Sequence, residues 1–136
     1  DAREPLQLRI SNGAVRLGVL TDAGSVTPHL LAQLQGCDAL LLECNHDTDL
    51  LAAGAYPLWL KRRIAGTRGH LANHQSAALL DACRHAGLQH VVAAHLSEQN
   101  NTPDLARSAL ASVLGCPEGD VAVANQLQGF GWRQLR

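Results

Sequence analysis

Three side chains able to bind a metal ion or move a proton stand directly behind apolar runs of strand length: Asp22 after residues 18–20, Glu43 after 40–42 and His95 after 91–94. Strand ends are where α/β architectures gather their sites. A carboxylate or imidazole placed there loses hydration and needs a compensating partner, and a metal ion is one such partner. For any one of them alone, capping a loop is the plainer role. Two carboxylates and an imidazole at three successive strand ends point to a site.

The remaining histidines are less informative. His70 and His74 have the i, i+4 spacing of a helical zinc pair, but Gly69 and Asn73 place the helix start near His74, and no Glu follows His70. His29 sits in a first helical turn and His85 near a helix C-terminus, where structural or solvated roles are expected. A basic cluster, Lys61, Arg62 and Arg63 with Arg68 close by, leads into His70. It reads either as a solvated helix face or as contacts to a phosphate backbone beside a catalytic centre.

These residues must be positioned by a small fold. The chain has 136 residues, 46% apolar and 17% charged, with 11 Lys+Arg against 12 Asp+Glu. That composition describes one ordered domain and excludes a disordered chain. No apolar run is long enough to span a bilayer. Near-neutral charge excludes nucleic-acid binding by bulk electrostatics alone, though a local basic patch can still track phosphates. Only four aromatics, Tyr56, Trp59, Phe130 and Trp132, are present, too few for a platform that stacks bases. Cys37, Cys44, Cys83 and Cys116 form no CxxC pair and read as reduced core thiols, which suits a cytoplasmic setting.

Residues 6–11 and 14–20 read as a hairpin turning at Asn12-Gly13. Thr27-Pro28 opens a short helix that stops at Gly36, and residues 39–42 form a strand. Weak helical fragments at 50–53 and 58–64 precede a clear helix at 75–85. A strand at 90–94, a helix at 103–114 and closing strands at 121–124 and 131–135 complete the order. The class is α+β, a mixed sheet with helices on one face. Too few helices exist to coat both faces, so a further layer is expected outside this chain.

Five strings occur here in one order: Leu20-Thr21-Asp22-Ala23-Gly24; Leu42-Glu43-Cys44-Asn45-His46-Asp47; Tyr56-Pro57 with Leu60-Lys61-Arg62-Arg63-Ile64; Gly69-His70-Leu71-Ala72-Asn73; and His95-Leu96-Ser97-Glu98-Gln99-Asn100-Asn101. Together they resemble the YycJ/WalJ-type branch of the metallo-β-lactamase-fold hydrolases, from Asp1 to about Asn101. The resemblance implies a four-layer αββα sandwich of which this chain is the C-terminal half. The family's His-x-His-x-Asp-His string is absent, and the chain opens on Asp1-Ala2-Arg3-Glu4-Pro5, a string that in the family follows a ligand histidine directly. With no Met in the chain, a preceding half is expected.

The resemblance further implies two divalent metal ions, Zn, Mn or Fe, with Asp22 bridging them and His95 as the last ligand of the second. His70 would contact the scissile phosphate or protonate the leaving group, and Glu43 would orient it. Lys61, Arg62, Arg63 and Arg68 would hold a DNA backbone, and Asn100 and Asn101 would shape the pocket rim. The implied activity is metal-dependent phosphodiester hydrolysis, exonuclease-like on DNA. With two expected ligands, this half alone is expected to bind metal weakly or not at all and to be inactive. A thioester or lactone hydrolase on the same scaffold, and a non-catalytic binding or dimerisation module using the uncovered sheet face, are the alternatives.

Overall fold

The structure, a computed structural model, describes residues 7–136. The Asp1-Ala2-Arg3-Glu4-Pro5 string and Leu6, the expected start of the first strand, lie outside the described residues. Five strands form one sheet in the order β1-β2-β3-β4-β5: β1 (Leu8–Ser11), β2 (Arg16–Leu20), β3 (Ala39–Glu43), β4 (His90–Ala94) and β5 (Ala122–Val123). β1 and β2 are antiparallel, with Leu8 opposite Val19, and every later pair is parallel. The expected hairpin is present with a longer turn. Asn12 to Val15 separate the strands, and the Asn12 side-chain oxygen accepts hydrogen bonds from the Ala14 and Val15 amides at 3.0 Å each. An Asx turn therefore replaces the two-residue turn that Asn12-Gly13 suggested.

The helices are α1 (Pro28–Leu34), α2 (Thr48–Ala53), α3 (Leu58–Ile64), α4 (Asn73–Cys83) and α5 (Pro103–Leu114). Thr27 and Thr102 cap α1 and α5 through hydroxyls that accept from the Leu30 and Leu105 amides, each with Pro at the first helical position. α4 begins two residues earlier than its apolar spacing predicts, because the Gln75 side chain accepts a hydrogen bond from the Ala72 amide at 2.9 Å and fixes the entry there. It also ends at Cys83 rather than His85, whose ring Nε2 hydrogen-bonds the Cys37 carbonyl oxygen at 3.0 Å.

The core lies on one side of the sheet. Leu20, Leu40 and Leu42 pack there against Leu30 and Leu34 of α1, Leu79 and Leu80 of α4, and Ala106 and Leu110 of α5. Each fully buried leucine contributes about 1.5–3 kcal/mol to folding. Alternation along the strands turns Leu17, Val19, Leu41 and Val92 the other way, in register with Leu8 and Ile10 of β1. Among the described residues that second face has no helical layer. Leu8 and Ile10 are 51% and 53% exposed, and the C-terminal segment with Phe130 and Trp132 borders it.

The closing strand expected at 131–135 is not formed. The segment is held instead by side-chain contacts: Gln89 exchanges hydrogen bonds with the Arg136 backbone, and His90 Nε2 lies 3.0 Å from the Gln134 carbonyl oxygen. Its other expected partner, the strand at 121–124, is the two-residue β5, extended by one hydrogen bond from Ala124 to Ala93. No helix among the described residues is long and apolar enough to cross a membrane.

Candidate active site

The parallel register brings the C-terminal ends of β2, β3 and β4 side by side, and with them Asp22, Glu43 and His95. His70 joins them from the loop before α4. Glu43 is the hub of this cluster and is fully buried. Its Oε1 lies 2.8 Å from His70 Nδ1 and 2.7 Å from His95 Nδ1, and it accepts from the Asp22 amide at 3.2 Å. Its Oε2 accepts from the amides of Ala23 and Leu71 at 2.9 and 3.3 Å. The family resemblance implied that Glu43 orients His70; in the structure one oxygen serves both imidazoles.

This geometry sets protonation states. Burial by itself raises the Glu43 pKa, but the hydrogen bonds from His70, His95 and the two amides outweigh it and bring the carboxyl down to about 2. His95 is pushed up, chiefly by its hydrogen bond to Glu43, against the opposing effect of burial. With each Nδ1–H donated to a carboxylate, the neutral form of either ring carries its lone pair on Nε2. His95 Nε2 stands 3.8 Å from Asp22 Oδ1. Both side chains are reachable from solvent, Asp22 at 42% and His95 at 38% exposed.

Backbone strain marks the same residues. Among the described residues, the non-glycine positions with positive φ are Asp22 at 58° and His95 at 56°. A left-handed conformation at a residue with a Cβ costs energy and persists where the surroundings hold it. Here the holding contacts are those around Glu43. The loop carrying Asp22 is also welded to the loop before His70: a Cβ on Gly24 would fall 2.4 Å from the Gly69 nitrogen and 2.6 Å from the Gly66 oxygen.

Asp22, His70 and His95 each offer a ligand atom within 4.8 Å of the others. The family resemblance implied two donors from this chain, Asp22 and His95; the fold brings His70 within reach as well. A carboxylate with imidazole nitrogens is a donor set for first-row divalent ions, and a histidine fixed from behind by a carboxylate is the usual way a metal ligand is oriented. His46, 1% exposed, is held toward its neutral form by burial and then by the charge of nearby His70, and its Nδ1 has no hydrogen-bond partner among the described residues.

An open cleft of about 1420 Å³ leads away from Asp22 and His70, and Arg62, Arg63 and Arg68 line it. Lys61, expected with them on the substrate, is not among the lining residues: its ammonium donates to the Ala52 carbonyl at the end of α2. Asn100 and Asn101 also differ from expectation. They are 2% and 7% exposed and absent from the cleft lining. Asn101 Nδ2 donates to the Cys44 carbonyl at 2.7 Å and pairs with Asn73, while Asn100 bonds to Ser97. The Asn101 amide ties the loop after β4 to the scaffold, and the Asn100 amide closes that loop on Ser97. The cleft wall also holds Arg9 and the paired glycines Gly24 and Gly69, to which the sequence pattern gave no role, and His29, for which it gave a structural or solvated one. Nothing in the spacing of Arg9 signalled the first; Gly69 directly before His70 was a local signal for the second.

Comparison with known proteins agrees with this geometry. Over 114 residues the chain is 35% identical to exodeoxyribonuclease YycJ of Bacillus anthracis, covering 84% of this chain and 43% of that protein. Over 123 residues it is 30% identical to exodeoxyribonuclease WalJ of Streptococcus pneumoniae, covering 90% and 46%. The solved structure of zinc-bound PqqB from Methylobacterium extorquens superposes with a TM-score of 0.56 at 24% identity, over 91% of this chain and 39% of that one. No protein-family profile matches the chain. The sheet with helices on one side thus places the chain in the metallo-β-lactamase fold. Within that fold it belongs to the YycJ/WalJ-type branch, and it spans less than half the length of the relatives it matches.

Proposed function

We propose that this chain supplies the C-terminal half of a metal-dependent phosphodiester hydrolase, and that the complete protein is a DNA exonuclease. One observation carries the reading: a buried carboxylate holds the Nδ1 atoms of both His95 and His70, which leaves the Nε2 of each ring free of it, that of His95 3.8 Å from Asp22. The names of the two sequence relatives, both exodeoxyribonucleases, support the substrate class.

Asp22 and His95 are the groups that would hold metal from this half, and their donor chemistry fits it. Two divalent ions, Zn, Mn or Fe, would supply Lewis acidity to the phosphoryl group when bound. In the chain itself, Glu43 fixes the His95 ring and its tautomer. His70, protonated, donates from Nε2 to the departing oxygen; its Nδ1–H stays on Glu43, whose negative charge stabilises the imidazolium before transfer. Arg62, Arg63 and Arg68 bind phosphates flanking the cleaved bond.

The bare sheet face of Leu17, Val19, Leu41 and Val92 would pack on the other half of the same αββα sandwich rather than on a second copy. The four free cysteines are consistent with a cytoplasmic location. Incubating the complete protein with end-labelled DNA and, separately, with a thioester tests the reading. Metal-dependent release of nucleotides with no thioester cleavage is expected. Thioester cleavage without DNA cleavage would move the protein to the other hydrolase class, and activity on neither would leave a binding module.

A further inference from the structure

We propose that the cleft beside the site carries a nucleic-acid strand between two basic walls, the second of which is formed by Arg9 of β1 and His29 of α1. The proposal rests on the phosphodiester reading above and extends it to the path of the substrate. The cleft runs past the junction where Gly24 touches the Gly66 to Gly69 loop. Its lining comes from two parts of the chain: Arg62 and Arg68, from α3 and the loop before His70, and Arg9 and His29, from β1 and α1. Arg9 reaches over the helical side of the sheet, where its charge bears on the Cys37 thiol; burial raises that thiol's pKa and Arg9 opposes the rise.

Three observations favour a polyanionic strand. The cleft's charged lining comprises four arginines against one carboxylate, Asp22, in a chain whose overall net charge is -1. The guanidinium groups of Arg9, Arg62 and Arg68 are exposed and make no hydrogen bond or ion pair among the described residues, whereas Arg84 and Arg107 are paired with Asp81 and Asp104. The volume of about 1420 Å³ exceeds the roughly 300–1,000 Å³ of small-molecule clefts and suits an extended polymer. No Phe, Tyr or Trp lines it, so the grip is on phosphates rather than on stacked bases.

The test is fluorescence-anisotropy binding of a labelled single-stranded oligodeoxynucleotide to the complete protein without metal, so that no cleavage occurs. Arg9→Ala, Arg62→Ala and Arg84→Ala are compared over a salt series. Removing one phosphate-binding charge should lower the log–log salt slope by about 0.7, so that the affinity deficit of the variant narrows about 2.6-fold between 50 and 200 mM salt. Arg9→Ala and Arg62→Ala should both show this, and Arg84→Ala should not. An abasic strand should bind within about twofold of the normal one, since bases are not gripped. Wild-type binding by Arg9→Ala together with weakened binding by Arg62→Ala would overturn the second wall and leave the hydrolase reading standing. No binding of any strand by the wild type would remove the nucleic-acid reading itself.

Discussion

β3 has two sides, and they end differently. On the helical side, Leu40 and Leu42 are closed over by α1, α4 and α5, at 1% and 0% exposure. On the other side, Leu41 is only half-buried beneath a bare face, yet Glu43, next along that same side, is fully buried. The loops after β2 and before α4 account for the difference: their amides and His70 enclose the carboxylate. The chain therefore encloses the Glu43 corner with its own loops, while the apolar face behind that corner carries no helix among the described residues.

The largest expected effect breaks the self-sufficient corner. Glu43→Gln places an amide nitrogen where five N–H groups converge on a carboxylate, and should cost about 3–5 kcal/mol of stability in urea denaturation. The sign of the pH dependence follows from the lowered pKa. Glu43 titrates near 2 when folded against an ordinary 4.5, so its contribution is present above about pH 4.5 and lost as pH falls toward 2. The variant should show a shallower acid limb, and an unchanged acid profile would show that the carboxylate is not what the loops enclose.

Leucine truncation sharpens the contrast between the two sides. Leu42→Ala should cost about 2–5 kcal/mol in this chain by leaving a cavity under the helices. Leu41→Ala, on the bare face, should cost less than about 1.5 kcal/mol here and approach the Leu42 value in the complete protein, as measured by chemical denaturation of both lengths. Equal costs in this chain would mean that its open face is already covered.

The smallest effect has the opposite sign. Asp22→Gly removes a Cβ from a residue at φ 58° and should stabilise metal-free protein by up to about 1 kcal/mol in thermal unfolding, while abolishing hydrolysis by the complete protein. A stabilised, inactive variant would show that strain is held at the site for function; a destabilised one would show that the Asp22 carboxylate supports the fold.

Much of this organisation is readable from the residues. Unbroken apolar runs followed by Asp22, Glu43 and His95 fix the parallel strands and their polar ends, because a strand buried between neighbours has no polar alternation to confuse its period. What the residues do not show is tertiary. The 131–135 run has strand-like composition, but side-chain hydrogen bonds to Gln89 and His90 hold it where a ladder was expected. Asn100 and Asn101 look like pocket amides until the carbonyl of Cys44 and the side chains of Asn73 and Ser97 are seen to occupy them. Lys61 belongs to the same helix as Arg62 and Arg63, and only the position of α2 reveals which of the three is turned away. That one Glu43 oxygen serves two histidines is equally invisible, since His70 and His95 are 25 residues apart.

The central claim is that Asp22, His95 and His70 are catalytic groups aligned by Glu43 in a metal-dependent nuclease. Its most direct test is single-turnover digestion of DNA by the complete protein carrying His70→Ala, with divalent-metal content measured on the same sample. The account predicts a 10²- to 10⁴-fold loss of rate, the range for a general acid, with metal content unchanged. Wild-type rate in that variant, or a loss of rate that tracks lost metal, would contradict it.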